Sequence, residues 1–264
     1  MTSLLTNASA MTALQTLSST NKNLATTQNR IATGLRISEA SDNAAYWSIA
    51  TGMKAQNKAL SAVQDSLGFG KAILDTTYTA LQEAIDKVTE MLGKYVTGGT
   101  DGIDQDAVDA ELTQLKEQIT AIADNANFEG QNLLKDGGTP VDVVSGYIGT
   151  AADTEKLQIL TLAAYDLSTE VDGITDLDTA QAALDAMKSQ AATYGAQKMR
   201  IESQSSFTAK QIDAIDRGIG QLVDADMNAE SARLAALQVQ QQLGIQALSI
   251  ANSSTQNILT LFRG

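Results

Sequence analysis

Few residues in this chain can do chemistry. It has no cysteine and no histidine, which removes disulfides, thiolate nucleophiles, imidazole bases and the usual zinc ligand sets. Gly68, Gly70 and Lys71 in "GFGKA" have the residue types of a phosphate loop. The second half of that motif is missing, however, and the stretch lies inside an unbroken apolar repeat. Asp101, Asp104, Asp106, Asp109 and Glu111 offer hard oxygen ligands of the kind calcium takes. Their spacing is not that of an EF-hand loop, and acids just ahead of a helix serve as caps and complement its dipole. Asn7-Ala8-Ser9 and Asn252-Ser253-Ser254 fit the N-glycosylation pattern but read as polar residues of an interface. Lys198 and Ser205 interrupt an apolar seam, as expected where a seam is partly exposed at its middle. No defensible carboxylate pair emerges. We therefore expect no catalytic residue, no cofactor and no metal, and a protein that is not an enzyme.

The distribution of charge is more informative than any motif. The 264 residues carry a formal net charge of −13, yet residues 61–190 hold 23 acids against 7 bases while residues 191–264 hold 6 of each. The middle is the solvated part. No basic stripe suited to nucleic acid is present. From Leu234 to Phe262 there is no charged residue at all. That stretch is long enough to span a bilayer, but Gln238, Gln240, Gln241, Gln242, Gln246, Asn252 and Gln256 would place amides in hydrocarbon, so membrane insertion is not expected. The beginning "MTSLLTNASAMTALQTLSST" has no basic segment, continuous apolar core or cleavage pattern of a secretory signal.

The elements that would position these residues are helices. With one proline, Pro140, and 4% aromatic residues, the composition suits long helices over a ring-filled core. Five segments show the 3-4 spacing of a narrow packing seam. The first includes Leu4, Met11, Leu14, Leu17, Leu24, Ile31 and Leu35, with Asn21 and Gln28 in step. The second runs from Ile49 to Tyr95 without a register break, which predicts a helix of roughly 70–75 Å. A third, Val108 to Ala126, is expected to fold back on the second. The fourth runs from Leu184 to Leu222, and the fifth takes in Leu234, Leu237, Gln241, Gly244, Leu248, Ala251, Ile258 and Phe262. Between the third and fourth, "VDVVSGYIG" and "KLQILTL" predict a β-hairpin within about 128–178.

Breaks at "GLRISEASDNAA" and "VDADMNAES" divide the chain. Residues 1–38 and 228–264 are expected to pair as a terminal coiled-coil domain, and 39–227 to form a rod-like helical domain carrying the hairpin. The fold class is thus mainly α, with long antiparallel coiled-coil helices and a small β-hairpin. Ser41-Asp42-Asn43 is placed to cap the second helix, and Arg36 to reach acids across a subunit boundary. The outer faces of the two end segments are Ser, Thr, Asn, Gln and Ala, which hydrogen-bond between helices at less desolvation cost than charges. Such ends fit the inside of an assembly.

Two stretches carry a family resemblance. "ATTQNRIATGLRISEASDNAAYWSIATGMKAQNKALSAVQDSLGFGKAILDTTYTALQEA" resembles the N-terminal signature of bacterial flagellins. "YGAQKMRIES" and "MNAESARLAALQVQQQLGIQALSIANSSTQNILTLFR" resemble the C-terminal one. The resemblance implies a short-form structural subunit of the flagellar filament, with little outer-domain insertion. Such a subunit is secreted without a cleaved signal peptide, passes unfolded through the type III export apparatus, and ends up extracellular, in a homopolymer that drives swimming motility. An export chaperone, cap and junction proteins are the implied partners. The hook-filament junction protein of the same superfamily is the alternative reading. The family's receptor-recognition stretch matches "LQEAIDKVTEMLGKY", where Glu90 stands in place of the arginine of strongly stimulatory members; weak innate-receptor recognition is implied.

Overall fold

The computed structural model describes residues 7–101, 103–135, 138–148 and 157–261, with side chains described as far as residue 253. Its elements in chain order are α1 (Ala8–Thr33), α2 (Ala44–Gly98), α3 (Gln105–Asn125), β1 (Val141–Tyr147), β2 (Leu157–Leu162), α4 (Leu167–Asp172), α5 (Leu177–Val223) and α6 (Met227–Leu261). Helix starts are marked by short polar side chains that accept otherwise orphaned backbone N–H groups. Asn7, Asp104 and Asp166 cap α1, α3 and α4. Asp176 Oδ1 accepts from Thr179 N at 2.8 Å while Thr179 Oγ1 accepts from Asp176 N at 2.9 Å, a reciprocal box at the start of α5.

The Ser41-Asp42-Asn43 cluster divides its labour differently from expectation. Asn43 is the cap of α2, taking the Tyr46 N–H at 3.2 Å. Asp42 instead turns back to accept from Ser38 N at 3.0 Å and Glu39 N at 3.3 Å, and those donors hold its carboxyl below the usual range. It shapes the break before the helix.

The chain forms two compact units, residues 1–54 with 215–264 and residues 55–214. In the second unit α2 presents the predicted seam: from Leu60 to Met91 every seam position is buried. This stripe packs against Val108, Leu112, Leu115 and Ile119 of α3 and Leu184, Met187, Tyr194 and Ile201 of α5. Ile49, at the head of the predicted seam, is exposed instead. On α3 the buried face ends on Ala123 and leaves Ile122 half-exposed. A further short helix, α4, was not expected from the sequence; at six residues it is too short for a periodic pattern, but Leu167 and Val171 are fully buried in the same core.

β1 and β2 pair antiparallel, from Val141 opposite Leu162 to Tyr147 opposite Leu157, with an irregularity between Val144 and Gly146. The hairpin rests on α2, which explains the "GFGKA" stretch. A Cβ at Gly70 would lie 2.7 and 2.8 Å from the two Val143 methyls, and the Val144 N–H donates to Ser66 Oγ at 3.1 Å. Next to it Phe69 tilts against Phe128 with ring centroids 5.6 Å apart. Gly70 therefore gives strand-to-helix clearance. Midway along the α2 and α5 seams, Lys71 pairs with Glu202 at 2.8 Å and Asp75 with Lys198 at 2.6 Å. Lys198 thus interrupts the apolar seam as one member of a half-exposed ion-pair cluster.

Candidate assembly interface

In the first unit α1 and α6 run antiparallel, and their contacts step along the pair in order. Asn7 Nδ2 donates to Ala251 O at 3.0 Å. Leu17 closes on Gly244, where a Cβ would come within 3.3 Å of Leu17 Cδ1. Gln241 Nε2 donates to Asn21 Oδ1 at 2.8 Å, and Arg30 Nη1 meets Glu230 Oε1 at 3.1 Å. The pairing continues beyond both helices. The chain breaks lie opposite one another and are joined by Arg36 N to Val223 O at 2.6 Å and Ala225 N to Gly34 O at 2.9 Å. Gly34, at φ 71°, takes the left-handed cap that ends α1. Ile37, Ala50 and Val223 form a small core beside this clamp.

The α6 side of the seam follows the sequence pattern, with Leu237 buried and Leu234, Gln241, Gly244, Leu248 and Ala251 half-buried. The α1 side is rotated from the expected one. Leu17, Leu24 and Ile31 face α6, but Ala13, Thr20 and Thr27 share that face, while Met11 and Leu14 are 66% and 59% exposed and Gln28 points to solvent. Ala13, Leu17, Thr20, Leu24, Thr27 and Ile31 keep a 3-4 spacing of their own, with Leu17 filling the space over Gly244, and Met11 and Leu14 fall on the neighbouring stripe of the helix. They flank an open groove of about 930 Å³ that also touches Gln15, Ser18 and Lys22. Leu35 is half-buried beside the small core. Arg36 is exposed, with Nη2 donating to Leu222 O at 2.9 Å. Leu4 and Phe262 lie outside the described residues, as does the side chain of Ile258.

Sequence reasoning passed over two features. One is the Arg30–Glu230 pair. Glu230 is 8% exposed, and its Oε2 has no hydrogen-bond partner. Arg30 lies in the last turn of α1 and Glu230 in the first turn of α6, the helix ends at which a cation and an anion are favoured. The visible signal was that Glu230 and Arg233 are the only charges between Met227 and Phe262. The other is the outward apolar set on α6: Val239, Leu243, Ile245 and Ile250 are each more than half exposed. A strict seam reading had no place for them.

The hydroxyls of α1 are turned inward to its own backbone. Thr12 donates to Ala8 O, Thr16 to Thr12 O, Thr20 to Thr16 O, Thr26 to Lys22 O and Thr33 to Asn29 O, at 2.8–3.1 Å. Such back-bonding satisfies the hydroxyl and lowers helix stability slightly. Among the described residues no group of acidic side chains is placed to hold a metal ion, and no helix is long and apolar enough to cross a membrane.

A paired set of chain ends, buried on a thin inner seam and apolar on the outside, is the arrangement of a subunit that packs among copies. Two family models match: the bacterial flagellin N-terminal helical region over residues 4–139 and the C-terminal helical region over residues 177–262. The chain is 50% identical to a flagellin of Brucella melitensis and 41% identical to flagellin C of Rhizobium meliloti, in both cases over the full length of both chains. The crystal structure of Bacillus cereus flagellin is 21% identical, with 67% of this chain and 94% of that chain covered, but its TM-score of 0.29 is too low to carry an argument. The chain belongs to the bacterial flagellins. It is a structural subunit of the extracellular flagellar filament, a homopolymer, and not an enzyme.

Proposed function

We propose that the ends of this flagellin are disordered in the free monomer, that α1 and α6 become helical only on polymerisation, and that their outward faces are the copy-to-copy surface. One observation carries the reading: Met11, Leu14, Val239, Leu243 and Ile250 stand exposed on a helix pair whose tail has no charge from Leu234 to Phe262. A thin seam of Ala, Thr, Gly and Gln buries little apolar area, and ordering each residue costs on the order of 1–2 kcal/mol. Neighbouring copies supply the missing burial. Leu4, Met11, Leu14, Leu17, Leu24, Ile31, Leu35, Leu234, Leu237, Leu248, Ile258 and Phe262 form this surface, and Arg36 reaches acids of the next subunit with its remaining donors. In the polymer, residues 1–38 with 228–264 make the inner domain and 39–227 the outer one.

This reading extends to a chain exported unfolded by the type III apparatus without a cleaved signal, handed on by a chaperone, and assembled beneath a cap on junction proteins. Both family models and the full-length relatives are flagellins, which favours the filament subunit over the junction protein. Glu90, paired with Lys87 at 3.2 Å, makes the surface around it a poor ligand for the flagellin-sensing receptor. Backbone NMR of the free monomer is the direct test. Sharp random-coil resonances are expected for the ends, and rigid helical signals before Thr33 and after Met227 would sink the proposal. A potent reporter response to purified monomer would remove the receptor claim.

A further inference from the structure

Resting on the homopolymer reading, we infer that the start of α2 carries a copy-to-copy contact of its own: an aromatic and cationic surface of the first unit that docks on the acidic helix ends of the second unit in another copy. Tyr46, Trp47 and Ile49 are 43%, 39% and 52% exposed in a chain where aromatic residues are scarce and Trp47 is the sole tryptophan. Trp47 and Lys54 stand two turns apart on one side of α2. The residues three and four positions from Lys54 are Ala50, Thr51, Asn57 and Lys58, so no carboxylate on the helix can neutralise it. On α5, Gly218 lies against the Met53 methyl, a Cβ there coming within 2.7 Å of it, and its chain neighbour Arg217 is exposed, with Asp213 one turn before it but no ion pair to it. Neither cation has an ion-pair partner among the described residues, a state they share with Lys22, Arg36, Lys58, Lys116, Arg200, Lys210 and Arg233; what sets them apart is the exposed aromatic pair beside Lys54.

The complementary surface is equally one-sided. Residues 55–214 hold 25 acids and 11 bases, against 6 acids and 7 bases in the first unit. Within the second unit the excess gathers where the end of α2 and the starts of α3 and α5 converge. Gln105 Nε2 donates to Gly98 O and Lys116 Nζ to Ile174 O, and Tyr95 feels both Asp176 and Asp109. Asp101, Asp104, Asp106, Asp109, Asp176 and Asp178 are all exposed there, and the nearby lysines are engaged: Lys94 with Glu111 at 2.5 Å and Lys116 with a carbonyl. A contact between unlike surfaces is heterologous, and heterologous contacts that do not close generate filaments. Tryptophan and arginine are also the side chains that most often dominate such interfaces.

Trp47 reports on the contact without labelling. Full-length protein is added to short filament seeds, and tryptophan emission and acrylamide quenching are followed during elongation. Burial of Trp47 is expected as a blue shift and a several-fold fall in quenching in the polymer. Lys54→Glu with Arg217→Glu is expected to slow elongation about tenfold or more at low salt, and a further Asp101→Lys, Asp106→Lys change in the same chain to restore it. Circular dichroism of each variant separates misfolding from lost docking. Filaments that grow normally while Trp47 stays as quenchable as in the monomer overturn this contact alone, as does unimpaired growth of the folded Lys54→Glu, Arg217→Glu chain. Failure of the wild type to extend seeds overturns the homopolymer reading with it. Protection of Trp47 by anionic phospholipid vesicles and not by polymer assigns the surface to lipid and also overturns the proposal.

Discussion

Substituting Gly70 by alanine tests how the hairpin is seated, with a built-in control two residues away. An alanine Cβ at position 70 lies 2.7 and 2.8 Å from the Val143 methyls, about 1 Å inside a normal carbon–carbon contact. The strand or the helix must yield, and overpacking of this kind costs about 1–3 kcal/mol. Alanine also gains about 0.8–1 kcal/mol over glycine from helix propensity, so Gly70→Ala should range from near neutral to about 2 kcal/mol destabilising. At Gly68, on the same helix, a Cβ meets nothing within 4 Å. Gly68→Ala should therefore stabilise by nearly the whole propensity gain. Urea unfolding of purified monomer followed by far-UV circular dichroism measures the difference, expected at about 1–3 kcal/mol. In a Val143→Ala background the difference should largely vanish, because the clashing methyls are gone, and the double-mutant cycle reports that coupling. If both alanines shift the midpoint upward by the same amount, α2 and β1 are not in the close contact described above and the account of "GFGKA" is wrong.

Two further outcomes follow from buried polar groups. Burial pushes the Tyr194 hydroxyl up to about 12, and it donates to Ala163 O at 3.0 Å. The folded state therefore holds its proton where the unfolded chain, near 10, has lost it. This contribution is complete below about pH 10 and is lost as pH rises through 12; absorbance at 295 nm should show Tyr194, and Tyr165 whose hydroxyl burial raises further still, ionising after the other tyrosines and together with unfolding, and early non-cooperative ionisation of all six tyrosines would refute it. Arg30→Ala should raise the critical concentration for filament growth more than Glu230→Ala. It leaves a buried carboxylate with neither oxygen partnered, at a cost of about 1–3 kcal/mol, whereas removing Glu230 leaves only a partly exposed guanidinium. Equal effects would show that the carboxylate is not desolvated.

Long helices were legible because a repeat sustained over many turns leaves little choice of face. The stripe on α2 from Leu60 to Met91 needed no tertiary information, and neither did the β-prone runs that became β1 and β2. The register of α1 was less legible. Two stripes compete on that helix, and only the partner face, where Gly244 leaves room for Leu17, decides that the stripe with Thr20 and Thr27 turns inward while Met11 and Leu14 turn out. Short elements such as α4 carry too few residues to show a period. Caps were readable as a cluster but not residue by residue, since Asp42 and Asn43 compete for the same N–H groups and loop geometry chooses between them. The outward apolar residues of α6 escaped notice because a narrow seam was sought in a helix that is apolar on more than one side.

The threonines of α1 have one more consequence. Because Thr12, Thr16 and Thr20 already give their hydrogens to the preceding turn, stripping water from that helix leaves no hydroxyl hydrogen stranded, so a strip soluble enough for a wandering chain end can still be sealed in a dry place afterwards. Valine there would be sticky too early and lysine wet for ever; threonine changes its allegiance when the helix winds.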